Sequence, residues 1–341
     1  MTLPAQQTAP PPVAGAGTRS FSDLMPLVQE MERVRAIAAA KVKKHLLAFA
    51  PFFLAALIGP FFLNARISPF ILFAPLAILI AIAWFSIPNE VAAFKRRFKN
   101  ELVHAIIKRF SSELEYFPTR GASQADLMGT LLFNTQPNRF SSEDLVTGIY
   151  AGVPVAFSEV RAKRVETKGT GKNRRTETEI IFNGVLFMAR FNKRFKSTTL
   201  VFPDVAEAAF GKMGQFFQEL GAGFVGGGAP AGGKMQLIRL DDPEFEKMFS
   251  VYGQDQVEAR YILTPSFMQR MYSIGQRKGG KVSISFRENV ITLAVSSPAD
   301  LFEASVSQKV NPEFVGQTIE AIAGYLAIVD ELKLNQQLWA Q

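Results

Sequence analysis

At 341 residues and 48% apolar composition the chain can bury a large core, and its formal charge of +8 favours anionic partners. It has no cysteine, which excludes disulfides, thiolate metal sites and cysteine nucleophiles together. Its two histidines, His45 and His104, both flank apolar segments, so neither a Ser-His-Asp hydrolase nor a multi-histidine zinc centre can be assembled in the rest of the chain.

Residues 1–20 are rich in Pro, Ala, Gly and Gln and lack apolar periodicity, which predicts a disordered tail. The first apolar run starts only at Leu46 and a second comes soon after it, so this is not the pattern of a cleaved signal. Residues 21–44 form an amphipathic helix on the spacing of Leu24, Leu27, Val28, Met31, Val34 and Ile37, with Ser22 as a candidate cap.

Residues 45–89 hold the stretch around which the chain is organised. Leu46–Leu63 is 18 residues without a charge, and Ile67–Pro88 is 22 more. A bilayer core of about 30 Å takes about 20 such residues in a helix. The expectation is a transmembrane helical hairpin integral to a lipid bilayer. Arg33, Arg35, Lys41, Lys43 and Lys44 precede it and Lys95, Arg96, Arg97 and Lys99 come after it, against Arg66 alone in the connector. By the positive-inside rule both termini are cytoplasmic.

In residues 90–220 a stalk helix leads into a first α+β half. Val91–Tyr116 is expected to be one amphipathic helix, with Phe94, Phe98, Leu102, Ala105, Ile106 and Phe110 inward and Lys95, Arg96, Arg97, Lys99, Lys108 and Arg109 wet. Ser123 to Asp126 resembles a capping box. Leu145–Tyr150, Val153–Glu166, Glu177–Phe191 and Ser197–Phe202 then alternate as strands of an antiparallel meander, and Val205–Leu220 is a candidate helix. Residues 221–233 form a glycine-rich linker. In the second half, residues 234–341, Lys234–Leu240 and Gln256–Leu263 are expected as strands, Pro243–Phe249 as a helical turn or two, and Pro265–Arg277 as a helix capped by Thr264. Lys281–Arg287 and Val290–Val295 form a hairpin, and Pro312–Trp339 a long closing helix. The fold class is α+β: a transmembrane hairpin, then a largely antiparallel sheet domain with packed helices and a long C-terminal helix.

Two apolar spans, then ELEYFP, then FNGVLFMARFNKRFKSTTLVFP, VEARYILTPSFMQRM and SSPADLFEAS, resemble an uncharacterised bacterial membrane-protein family, a domain of unknown function, over most of Ala92–Asp330. The resemblance implies an inner-membrane protein with a cytoplasmic α+β domain and a LemA-type membrane-protein partner. It supplies no catalytic residues.

Phosphate-loop signals fail on inspection. Gly221–Gly226 spells G-x-G-x-x-G, but a candidate helix precedes it and more glycine comes after it, the reverse of a dinucleotide site. Around Lys172 the first P-loop glycine would fall on Glu166, and Asn173 stands where Ser or Thr would hold magnesium. The pairs Glu143/Asp144 and Asp241/Asp242 adjoin expected element starts and need no metal. Glu258 and Arg260 share one face of an expected strand, as a structural pair or a pocket lining.

The functional candidate is basic. Arg161–Lys196 carries eleven Lys and Arg against Glu166, Glu177 and Glu179. Arg161, Lys163, Arg164, Lys168, Lys172, Arg174 and Arg175 would line a long hairpin and its tip, suited to anionic phospholipid. Without interleaved aromatics in the loop, nucleic acid is disfavoured. No cofactor or metal is expected. The reading is a membrane-anchored, non-enzymatic scaffold or binding module. The alternative is an enzyme or regulator that acts on a lipid or small ligand through a pocket near Arg260.

Overall fold

The computed structural model describes residues 21–62, 78, 88–169, 174–190, 194–203, 235–277, 281–297 and 301–332. They group into two compact units, Ile107–Leu301 with the chain from Ala321, and Ser20–Ile106 with Phe302–Glu320.

The second of these is helical. A 3-10 turn, Phe21–Leu24, leads into α1, Met25–Phe62; the chain returns in α2, Pro88–Arg97, and a π-helical turn, Phe98–Val103, before α3, His104–Phe110. α1 buries Leu24, Val28, Met31 and Ala38, while Ile37 is exposed. Glu32 accepts from Arg35 at 2.8 and 2.7 Å and from the Val310 N–H at 2.8 Å. The Arg35 hydrogen bond, which outweighs the desolvation of Glu32, holds its carboxyl below the usual range. A π turn carries an extra residue and so rotates the helix beyond it. Here it buries Lys99, expected on the wet side, whose ammonium meets Glu303 at 3.0 Å. Phe98 packs 5.9 Å from Phe314 on α8, Pro312–Glu331.

From Lys43 onward every described side chain of α1 is exposed, Leu46, Leu47 and Leu54 among them. Among the described residues no helix is long and apolar enough to cross a membrane. Apart from residues 78 and 88, the expected second span lies outside those residues, as do the tail, the candidate helix at 205–220 and the linker at 221–233.

The other unit is built on nine antiparallel strands: β1 Leu114–Phe117, β2 Arg139–Tyr150, β3 Val153–Lys168, β4 Arg175–Arg190, β5 Thr199–Pro203, β6 Gln236–Ile238, β7 Phe249–Gly253, β8 Val282–Arg287 and β9 Val290–Ser296. Their order across the sheet is β1-β2-β3-β4-β9-β8-β5-β7-β6. The β8–β9 hairpin sits between β4 and β5, so the expected seam at 221–233 does not divide the sheet. On one face Val160, Ala162, Phe182, Leu186, Leu200, Phe202, Tyr252 and Ala294 join a core with Leu127, Leu131 and Leu132. That segment includes α4, Gln124–Gly129, which starts on a complete capping box: Ser123 Oγ accepts from Asp126 N–H at 3.0 Å, and Asp126 accepts from Ser123 N–H at 2.7 Å. On the other face Phe157 stacks with Phe187 and Tyr325, while Phe286 lies between Phe195 and Phe267. Each such buried ring contributes roughly 1.5–3 kcal/mol.

Three expected elements differ. Val91–Tyr116 is not one helix: it ends at Phe110, and Leu114–Phe117 pairs with β2 as the edge strand β1. Gln256–Leu263 is not a strand but α6, Gln256–Ile262, because the Asp255 carboxylate accepts from the N–H groups of Val257 and Glu258. Phe249 belongs to β7 rather than to the preceding turn, α5, Pro243–Glu246. The α7 helix keeps its expected bounds, Pro265–Arg277, and α8 is described to Glu331.

Candidate functional site

The basic residues of β3 and β4 lie on a two-stranded arm. β2 pairs with β3 only as far as Lys163, and β9 pairs with β4 only from Gly184. Outward of these points, among the described residues, β3 and β4 pair only with each other, from Arg164 opposite Glu179 to Lys168 opposite Arg175. The Asn138 side chain extends the support by one residue, accepting from Val165 N–H at 2.8 Å and donating to the Val165 carbonyl at 2.8 Å.

Register sorts the charges. Side chains alternate between the faces of a ribbon, and directly paired residues share a face. Arg164/Glu179, Glu166/Glu177 and Lys168/Arg175 therefore form one face with three cations and three anions. Arg164 meets Glu166 at 2.5 Å, and Lys168 pairs with Glu177. The opposite face carries Lys163, Val165, Thr167, Thr176, Thr178 and an exposed Ile180. The excess positive charge thus sits at the ends, Lys163 at the root and Arg174 at the tip beside Arg175, and none of these three enters an ion pair among the described residues. Lys172 lies outside the described residues.

Arg161 does not belong with this group. It lies half-buried at the root of the arm, 2.9 Å from the half-exposed Glu143 and 3.5 Å from the buried Glu159. Glu159 also accepts from Leu301 N–H at 2.6 Å. Asp144 is fully buried on the β2 bulge at φ 60°, and its carboxylate accepts the Tyr116 hydroxyl. The Glu143/Asp144 pair is therefore mid-strand, not at an element start. Burial, then the Asp144 charge, raises the Tyr116 hydroxyl far above its ordinary range; burial, then Glu159, pushes Tyr325 up to about 12. These groups are acceptors and donors held inside the sheet. Sequence reasoning passed over Tyr116 and Glu159, since nothing in a strand pattern shows that a bulge will turn a carboxylate inward.

Glu258 and Arg260, which share one face of the expected strand, lie instead on α6 and have different partners. Arg260 is exposed on α6 and donates to the Arg239 carbonyl at 3.0 Å. Glu258 points elsewhere and accepts from the Lys196 and Ser197 N–H groups and the Ser197 hydroxyl. Among the described residues no group of three or more carboxylates or histidines could hold a metal ion.

Residues 180–334 match a family model described as "Protein of unknown function (DUF3137)". A comparison with curated proteins finds no match. Among solved structures, the crystal structure of the mycobacterial trehalose monomycolate transport factor A, TtfA, aligns at 12% identity and a TM-score of 0.33, over 70% of this chain and 95% of that one.

Proposed function

We propose that the chain is a membrane-anchored, non-enzymatic binding module: a two-helix hairpin in a bacterial inner membrane carrying a cytoplasmic sheet domain. The observation that carries this reading is the change in α1 at Lys43. Up to there the helix has a buried stripe; beyond it, apolar side chains are exposed on successive positions around the helix. Exposed apolar side chains on a charge-free helical segment favour an apolar solvent. The returning chain fits the same reading. Lys41 on α1 and Glu90 on α2 pair at 2.6 Å, with 48 residues between them. Half of that length as helix is about 36 Å, enough to span a bilayer core.

The partner is the anionic leaflet, met by the cationic ends of the arm, with a membrane protein of the LemA type as the alternative. Each juxtamembrane cation adds roughly 1 kcal/mol of attraction to an anionic surface. The arm's charge-balanced face makes its lower half a poor lipid contact, so the tip carries the interaction.

Sodium carbonate and high-salt washes of membranes from cells expressing the full chain test the anchor. The protein is expected to stay in the pellet through both washes and to be released by detergent alone. Release by carbonate would mean a surface-bound protein and would end this reading.

A further inference from the structure

Three strands bring two arginines together at the end of the sheet away from the arm. In register, Arg190 on β4 lies opposite Val290 on β9, and Val290 lies opposite Arg287 on β8. The three residues share one face, the face on which Leu186, Ala294 and Leu200 enter the core under α4. Adjacent strands are about 4.8 Å apart, so the two arginine Cα atoms are separated by roughly 10 Å. Two guanidinium side chains can close that span on one small anion.

Neither guanidinium is satisfied as an ordinary structural arginine would be. The Arg190 Nε is buried and has no hydrogen-bond partner among the described residues. A buried donor without a partner is costly and uncommon, and marks a place where something else is received. Arg287 donates one Nη1–H to the Gly129 carbonyl at the end of α4, which fixes its fork and leaves further N–H groups to spare. Burial lowers its affinity for its proton, opposed only by the charge of neighbouring Glu288. Neither side chain forms a salt bridge among the described residues. Phe195 N–H donates to the Glu288 carbonyl, so the exposed Arg194 adds a third cation near the same turn, against Glu288 as the nearby carboxylate.

We propose that Arg190 and Arg287, side by side across Val290, form a binding site for a phosphate group. Planar forks that offer parallel N–H donors match a tetrahedral oxyanion, and a half-buried setting strengthens such charge-assisted bonds. The phosphate can be that of a free small molecule or of a lipid headgroup. The site is distinct from the arm and independent of membrane anchorage.

The test is calorimetric titration of the full chain in neutral detergent at fixed ionic strength. One arm of the experiment uses inorganic phosphate, the other dihexanoyl phosphatidylglycerol below its micellar concentration. Saturable binding of either probe is expected, weakened at least about tenfold by Arg190→Met and by Arg287→Lys, and unchanged by Lys247→Gln at an exposed position just after α5. Phosphate binding assigns a soluble phosphate compound; binding of the lipid alone assigns a headgroup. Because the Arg190 Nε has no partner, Arg190→Met should leave the thermal midpoint without probe unchanged or raised. Arg287→Lys keeps a donor for Gly129, so a folding defect in one variant leaves the other informative. Failure of the wild-type chain to bind either probe, or undiminished binding by both variants, would overturn the site.

Discussion

Replacement of Glu258 by alanine is expected to destabilise the sheet unit by about 3 kcal/mol, among the largest losses from a single polar side chain in this molecule. Its carboxylate, on α6, accepts from the Lys196 N–H at 2.8 Å, the Ser197 N–H at 2.6 Å and the Ser197 hydroxyl at 2.7 Å. Hydrogen bonds to a charged acceptor contribute about 1.5–3 kcal/mol each and are not additive. The truncation also strands two backbone donors at the entry to β5, where Phe195 and Thr198 are buried. Thermal unfolding of the full chain in detergent should show a midpoint lowered by roughly 6–12 °C. Glu258→Gln, which restores one acceptor oxygen but places an amide NH₂ against a donor, should fall between. An alanine variant within about 0.5 kcal/mol of wild type would show that the β5 entry is held by something else.

Gly184 has a comparable expected effect for a steric reason. A Cβ there would stand 2.1 Å from the Val295 carbonyl oxygen, 2.8 Å from Ser297 N and 2.9 Å from the Ser296 Cα. All three are backbone atoms of the paired strand and cannot rotate aside. Gly184→Ala must push β4 away from β9 at the position where the arm leaves the sheet, with a loss of at least about 3 kcal/mol. Gly316→Ala on α8 is the matched control: nothing lies within 4 Å of its added Cβ, and a helix interior gains up to about 1 kcal/mol from the exchange. Equal midpoints for the two variants in the same unfolding assay would refute the steric argument.

The parts of the fold that were legible in the sequence are those set by short-range patterns. The β8–β9 hairpin arises from alternation on either side of Glu288-Asn289, and Glu288 takes the positive φ, 54°, that such a turn requires. The Ser123 cap and the start of α7 at Pro265 come from local hydrogen bonding. The strand misassigned at Gln256–Leu263 is rich in β-formers, but Asp255 stands three residues before Glu258, a helix-start spacing that outweighs propensity. β1 was missed because the apolar spacing of α3 runs on into Leu114–Phe117. No local pattern holds the register. Only the pairing of β3 with β4 reveals that most of the arm's charges cancel on one face, and only the row Arg190–Val290–Arg287 brings together side chains nearly one hundred residues apart in sequence. Arg161 was grouped with the arm by sequence proximity, whereas its partners Glu143 and Glu159 are chosen by the sheet.

The absence of cysteine makes the anchorage directly measurable. Two single-cysteine variants of the full chain, Asn64→Cys between the apolar runs and Thr176→Cys on the arm, are labelled in intact cells with a membrane-impermeant maleimide. Anchorage by a hairpin with a cytoplasmic sheet domain predicts labelling at position 64 alone, with position 176 reacting only after the membrane is permeabilised. Labelling at position 176 in intact cells would place the sheet domain outside the inner membrane, and protection of both positions until permeabilisation would contradict a hairpin whose connector crosses it.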